Sequence, residues 1–118
     1  MNHFNEMAEL LLPHIDKTPD YYENLYPARN LPEGAQVTRI APSPTGYLHL
    51  GVLFSALVNR IAATTSRGVF FTRIEDTDKK REVAGGIADI IEGLERFGIK
   101  IDEGFVNGTT QVGDYGPY

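Results

Sequence analysis

The stretch RIAPSPTGYLHLG, Arg39 to Gly51, constrains this chain more than any other. Pro42 and Pro44 lack the N–H that a strand or helix needs, and each drives the residue before it out of the α region. A β-prone run from Gln36 therefore ends at Ala41, and Ser43 is held extended. Thr45 and Gly46 supply a turn in which the glycine is free to take positive φ. A helix then begins at His49, with an apolar face drawn from Leu50, Leu53, Phe54, Leu57 and Ile61. Strand end, locked loop and helix start form a unit that favours phosphate, because a helix N-terminus presents free N–H groups and positive dipole.

The pattern continues to alternate. A strand over 36–41 is followed by a helix over about 49–66 and a second strand over Val69–Ile74. A helix from Arg81 to Phe97 and a short strand at Ile99–Ile101 complete it. The second of these helices buries Val83, Ile87, Ile90, Ile91, Leu94 and Phe97, spaced three and four apart. Strand–helix–strand–helix–strand implies an α/β fold with a parallel sheet, one nucleotide-binding half of a doubly wound, Rossmann-like domain. The run VFFTRI is almost continuously apolar, as a sheet covered on both faces requires. The tail after Asp102 shows no clear element.

Residues 1–35 read as a helical N-terminal extension. Phe4, Met7, Leu10 and Leu11 share a helical face that should pack on the core, and Pro13 stops that helix. Thr18 or Asp20 caps a second short helix through Leu25. This segment carries six acids against two bases, whereas 36–118 carries ten against nine. With an overall net charge of −5, any nucleic acid must be met by a local basic patch. The best is Lys79, Lys80 and Arg81, which this reading places at a helix start. Positive charge is disfavoured there by the helix dipole, which hints at an external anion; a solvated charge run is the equal alternative.

A second motif, FFTRIEDTDKKR from Phe70 to Arg81, gives the first its meaning. Together the two resemble the ATP motif and the downstream RIEDTD loop of class I aminoacyl-tRNA synthetases, in the form found in glutamyl-tRNA synthetases. The HIGH tetrapeptide of that family is represented by His49, Leu50, Gly51 and Val52, with Val52 replacing the final histidine. The resemblance covers residues 36–118 strongly and 1–35 loosely. It implies the N-terminal half of the nucleotide-binding catalytic domain, with activation of L-glutamate by ATP and transfer to tRNA(Glu). His49 and Gly51 take the catalytic positions, and Thr45, Gly46, His49 and Gly51 the ATP side. Arg39, Ala41, Ser43 and Glu75 fall where the family holds glutamate. Arg39 leaves a strand end with a guanidinium suited to a bidentate carboxylate pair, and an Arg simply paired with a nearby acid is the plainer alternative.

Three acids in four residues at Glu75, Asp76 and Asp78 are more often caps and solvated charges than a metal loop, with Asp76 or Thr77 as a helix cap. No protein-bound metal is expected, and Mg²⁺ arrives with ATP. There is no cysteine for a thiolate site or a disulfide. No run approaches the ~18 apolar residues of a membrane span, and the first residues do not form a secretory signal, so a cytoplasmic protein is expected. The family's second ATP motif, of the KMSKS type, has no counterpart here. The chain is therefore expected to be a truncated form that needs the remaining domains of a full-length synthetase and is inactive alone. A glutamyl–queuosine tRNA(Asp) ligase and a non-catalytic binding module remain as alternatives, while Glu75 and Asp78 disfavour a glutaminyl synthetase.

Overall fold

The computed structural model describes residues 3–118. Eight elements follow in order: α1 (His3–Leu11), α2 (Pro19–Leu25), β1 (Val37–Ile40), α3 (Leu50–Ser66), β2 (Val69–Thr72), α4 (Gly86–Arg96), β3 (Gly104–Phe105) and β4 (Gln111–Val112). The centre is a parallel β–α–β unit. β1 and β2 pair in register from Val37 opposite Val69 to Ile40 opposite Thr72, with α3 as the crossover. Phe70 and Thr72 of β2 are fully buried, and Ile40, Ala56, Ala63, Ile90, Ile91, Leu94 and Ile99 complete the core. The fold is mixed α/β with parallel strands, as the alternating pattern implies.

Several local expectations are corrected. The buried face of α3 is its small one, through Ala56 and Ala63, with Leu53 partly buried. Leu50 and Phe54 are 79% and 67% exposed, and Leu57, Val58 and Ile61 are exposed beside them. Alanines let the helix lie close on β1 and β2, so bulk is turned outward. The helix α4 starts at Gly86, five residues later than the apolar spacing suggests. Gly85 stands at its N-cap with φ +81°, a conformation that favours glycine. A Cβ on Gly86 would lie 2.9 Å from the Pro44 carbonyl oxygen. The Gly85-Gly86 pair is thus the helix start itself. Val83, outside the helix, is 45% exposed, and Phe97 at its end is 66% exposed. Asp76 and Thr77 therefore do not cap α4, whose N-cap is Gly85.

The third parallel strand is displaced as well. Gly98 and Ile99 still donate backbone hydrogen bonds to Glu95 and Leu94 at the end of α4, so no strand forms at 99–101. Pairing begins later, with the Asp102 N–H to the Phe70 carbonyl at 2.9 Å and the Thr72 N–H to the Glu103 carbonyl at 3.1 Å. The tail then forms the antiparallel β3–β4 hairpin. Asn107 Oδ1 closes its turn, accepting from the N–H groups of Thr109 and Thr110.

Both expected helices of the extension form, but neither buries a residue. Thr18 occupies the N-cap of α2 without a side-chain capping bond. The radius of gyration is 17.8 Å, against roughly 13.5 Å for a compact chain of this length. What docks is the segment after α2. Arg29 forms a two-pronged ion pair with Glu103, its Nη2 at 2.7 Å from Oε2, and lies 3.8 Å from the Tyr115 ring centre. Tyr118 donates to the same carboxylate at 2.8 Å. The Tyr26 and Tyr115 hydroxyls donate to the carbonyls of Gly116 and Pro27.

Candidate functional site

The locked loop turns its lack of donors into acceptors. Pro42 and Pro44 are buried, and their carbonyls receive the N–H groups of Glu75 at 3.0 Å and Val83 at 2.8 Å. Those two bonds stitch the first motif to the second. The strand ends one residue earlier than expected, at Ile40, whose carbonyl accepts from the Arg73 N–H at 3.0 Å. Gly46 does not use the positive-φ freedom foreseen for it; the left-handed glycines among the described residues lie elsewhere.

His49 is the N-cap residue of α3, with extended backbone at φ −103° and ψ 163°. Its carbonyl accepts from Val52 and Leu53, while its imidazole makes no capping bond and is exposed. The ring lies over Gly51, where an added Cβ would stand 3.2 Å from Nδ1 and 3.3 Å from Cε1. The spacing His-x-Gly is thereby explained: the glycine leaves the room the imidazole occupies. Two open cavities meet here. One of about 370 Å³ is lined by Arg39, Ala41, His49, Gly51, Ser55 and Asn59 among others. The other, of about 390 Å³, runs along Ser43, Thr45, Gly46, Tyr47 and Leu48. His49, Ala41, Pro42 and Val52 border both.

At the carboxyl ends of the parallel strands, Glu75 meets two guanidiniums. Arg73 Nη2 donates to Glu75 Oε1 at 2.8 Å, and Arg39 Nη1 stands 3.8 Å from the same oxygen. The hydrogen bond and charge of Arg73 hold the Glu75 carboxyl below the usual carboxylate range, with a smaller contribution from Arg39. The structure thus brings Arg39, Ala41, His49 and Gly51 to one cavity, sets Glu75 against Arg39, and places Ser43, Thr45 and Gly46 on the adjoining one. Ser55, Asn59 and Arg73 were not singled out in the sequence. For Arg73 a signal existed, since residues two apart on an extended chain share a face and Arg-x-Glu places opposite charges side by side.

Lys79, Lys80 and Arg81 lie in a turn closed by the Arg81 N–H to the Asp78 carbonyl, well before α4. The dipole argument for an external anion therefore lapses. Arg81 Nε donates to Asp78 Oδ2 at 2.6 Å, which holds the Asp78 carboxyl below its ordinary range. Among the described residues, no group of three or more His, Asp or Glu side chains is arranged to hold a metal ion. No helix among them is long and apolar enough to cross a membrane.

A strand, a proline-locked loop and a helix start bearing an exposed imidazole, with charged side chains at the ends of adjacent parallel strands, resemble the arrangement with which nucleotide-binding α/β domains face phosphate. The chain belongs to the class I tRNA synthetases: residues 36–118 match the family described as tRNA synthetases class I (E and Q), catalytic domain. It is 54% identical over 117 residues to the glutamate–tRNA ligase of Acetivibrio thermocellus, covering 98% of this chain and 21% of that protein. It is 50% identical over 115 residues to the glutamate–tRNA ligase of Clostridium perfringens, with the same coverage. A solved glutamate tRNA ligase from Elizabethkingia meningosepticum, in complex with its amino acid, superposes with a TM-score of 0.62 at 45% identity. That match covers 73% of this chain and 16% of the other. The chain thus spans about a fifth of the length of the curated relatives it matches.

Proposed function

We propose that this chain is the N-terminal part of the catalytic domain of a glutamate–tRNA ligase, with residues 36–118 as the nucleotide-binding portion and 1–35 as a helical extension. The observation that carries the reading is the placement of Arg39 and Glu75 at the ends of neighbouring strands, beside an exposed His49 seated over Gly51. A substrate with two carboxylates and an ammonium finds its complement there. Arg39 takes the side-chain carboxylate, and Glu75 faces the α-ammonium, with Ala41 and Ser43 shaping the backbone approach.

In the reaction, an α-carboxylate oxygen of glutamate attacks the α-phosphorus of ATP and pyrophosphate leaves, so the chemistry is positioning and charge stabilisation. Mg²⁺ accompanies ATP as part of the substrate. His49 donates to phosphate oxygen at the helix start, where N–H groups and dipole also favour anions. Thr45, Gly46 and Gly51 leave the nucleotide room against the helix. The acyl group then passes to the 3′ end of tRNA(Glu). Lys79 and Lys80, which unlike Arg81 have no carboxylate partner among the described residues, are the cations offered to tRNA phosphate. The relatives' names favour this over a glutamyl–queuosine ligase. The cytoplasm is the compartment we propose.

Glutamate-dependent ATP–pyrophosphate exchange, with and without tRNA, tests the proposal in the chain at its relatives' full length and in the 118 residues alone. Exchange and charging are expected of the former only. His49→Ala should slow activation about a hundredfold while changing the glutamate KM little. Equal loss in both would make His49 structural, and failure to charge tRNA with glutamate would remove the ligase assignment.

A further inference from the structure

Arg73 makes the shortest contact to Glu75. Both guanidiniums address the same oxygen, Oε1, but at different distances: 2.8 Å from Arg73, a hydrogen bond, and 3.8 Å from Arg39, an ion pair only. The difference is fixed by the backbone. Arg73 and Glu75 follow one another at a spacing of two on the extended chain leaving β2. The Arg73 N–H is bonded to Ile40 and the Glu75 N–H to Pro42, so both side chains spring from pinned positions. Arg39 reaches across from the neighbouring strand. No bond is made to Glu75 Oε2 among the described residues. Arg73 is about half-exposed, with its charge directed along the surface to Glu75.

We infer that Arg73 is a positioning residue for Glu75. It anchors one carboxylate oxygen, leaves the other facing the substrate's α-ammonium, and frees Arg39 to turn to the substrate's side-chain carboxylate. This inference rests on the proposed glutamate-activating function. Without Arg73 the carboxylate has one cationic partner left, Arg39. A tightened Arg39–Glu75 pair would occupy both substrate-binding groups with each other. The two cations are therefore not interchangeable, although both are arginines facing one acid. A lysine at position 73 can still supply charge to a single oxygen, which is all this role demands.

The test is glutamate-dependent ATP–pyrophosphate exchange by the chain at its relatives' full length, comparing wild type, Arg73→Gln, Arg73→Lys and Arg39→Gln, with a thermal melt of each. Arg73→Gln is expected to raise the glutamate KM about tenfold with kcat within about threefold, the pattern of lost binding. Arg73→Lys is expected to recover most of that loss. Because Arg73 is the larger of the two influences that depress the Glu75 carboxyl, its removal lets that group protonate at higher pH. The acid limb of kcat/KM should then move upward in Arg73→Gln, and by less in Arg39→Gln. An unchanged KM in Arg73→Gln would overturn the inference. So would a loss in both Arg73 variants that tracks a fall in melting temperature. Absence of exchange by the wild type would fell the functional proposal itself, and the inference with it.

Discussion

Glu75 and Glu103 are both carboxylates held by arginine, and they are held to opposite ends. Glu103 meets Arg29 through two prongs and accepts the Tyr118 hydroxyl, while the Arg29 guanidinium lies over the Tyr115 ring; the Glu103 side chain is 14% exposed and that of Arg29 18%. Every oxygen it has is engaged. Glu75, whose side chain is 34% exposed, shares one oxygen between a hydrogen bond and a longer contact, with its second oxygen unbonded among the described residues. The first arrangement is complete without anything else. The second is satisfied enough to stay charged and open enough to exchange a partner. The closed carboxylate fastens the segment after α2 to the tail hairpin; the open one is the group that the proposed function assigns to a substrate ammonium.

Three substitutions break or sharpen that contrast. The largest effect is expected for Glu75→Gln, which should lower glutamate-dependent exchange roughly a hundredfold while moving the melting temperature by no more than about 2 °C. A melt that falls with activity would make Glu75 a second fastener. Arg29→Ala should do the reverse, costing about 2 kcal/mol of stability, or roughly 10 °C in a thermal melt. That figure stands below a fully buried pair because both groups keep some contact with water.

The same variant should also change the acid response. Arg29 depresses the Glu103 carboxyl, so the stability it confers is fully present above the ordinary carboxylate range and is lost as pH falls through the folded value. Removing Arg29 should flatten that acid limb in pH-dependent melts, and an unchanged limb would place the acid sensitivity elsewhere. The smallest effect is expected for Gly51→Ala. Its Cβ would press on His49 at 3.2 Å, tilting the imidazole and lowering exchange about tenfold with the fold intact. Unaltered exchange would show that the ring has room to move without consequence.

The sequence disclosed the chemistry of the open site better than the mechanics around it. Strand, proline loop and helix start were legible because prolines and a change of period leave local marks. Arg39 and Glu75 were each assigned to glutamate through resemblance, and their spatial approach follows from a parallel sheet that ends both strands on the same side. The face of α3 was not legible: large apolar residues outnumber its alanines, and only the close approach to the sheet shows that the alanines face inward. The start of α4 was missed because Val83 continues the apolar spacing into a segment that is turn, while the glycine pair that opens the helix carries no side chain to report it. The Glu103 fastening was invisible for a third reason. Arg29 and Glu103 are far apart in sequence, and nothing local in either neighbourhood announces the other.

The carbonyls of Pro42 and Pro44 have a consequence in entropy. In the proposed function this loop lies beneath a nucleotide, and a loop in that place must be ordered at some stage; a mobile one is ordered when the ligand arrives, at the ligand's expense. Here two rings restrict the chain even before folding, and the bonds from Glu75 and Val83 fix what freedom remains. The ordering is completed with the core. Binding free energy at this floor is then left for contacts with the substrate instead of being consumed in arranging the surface that receives it.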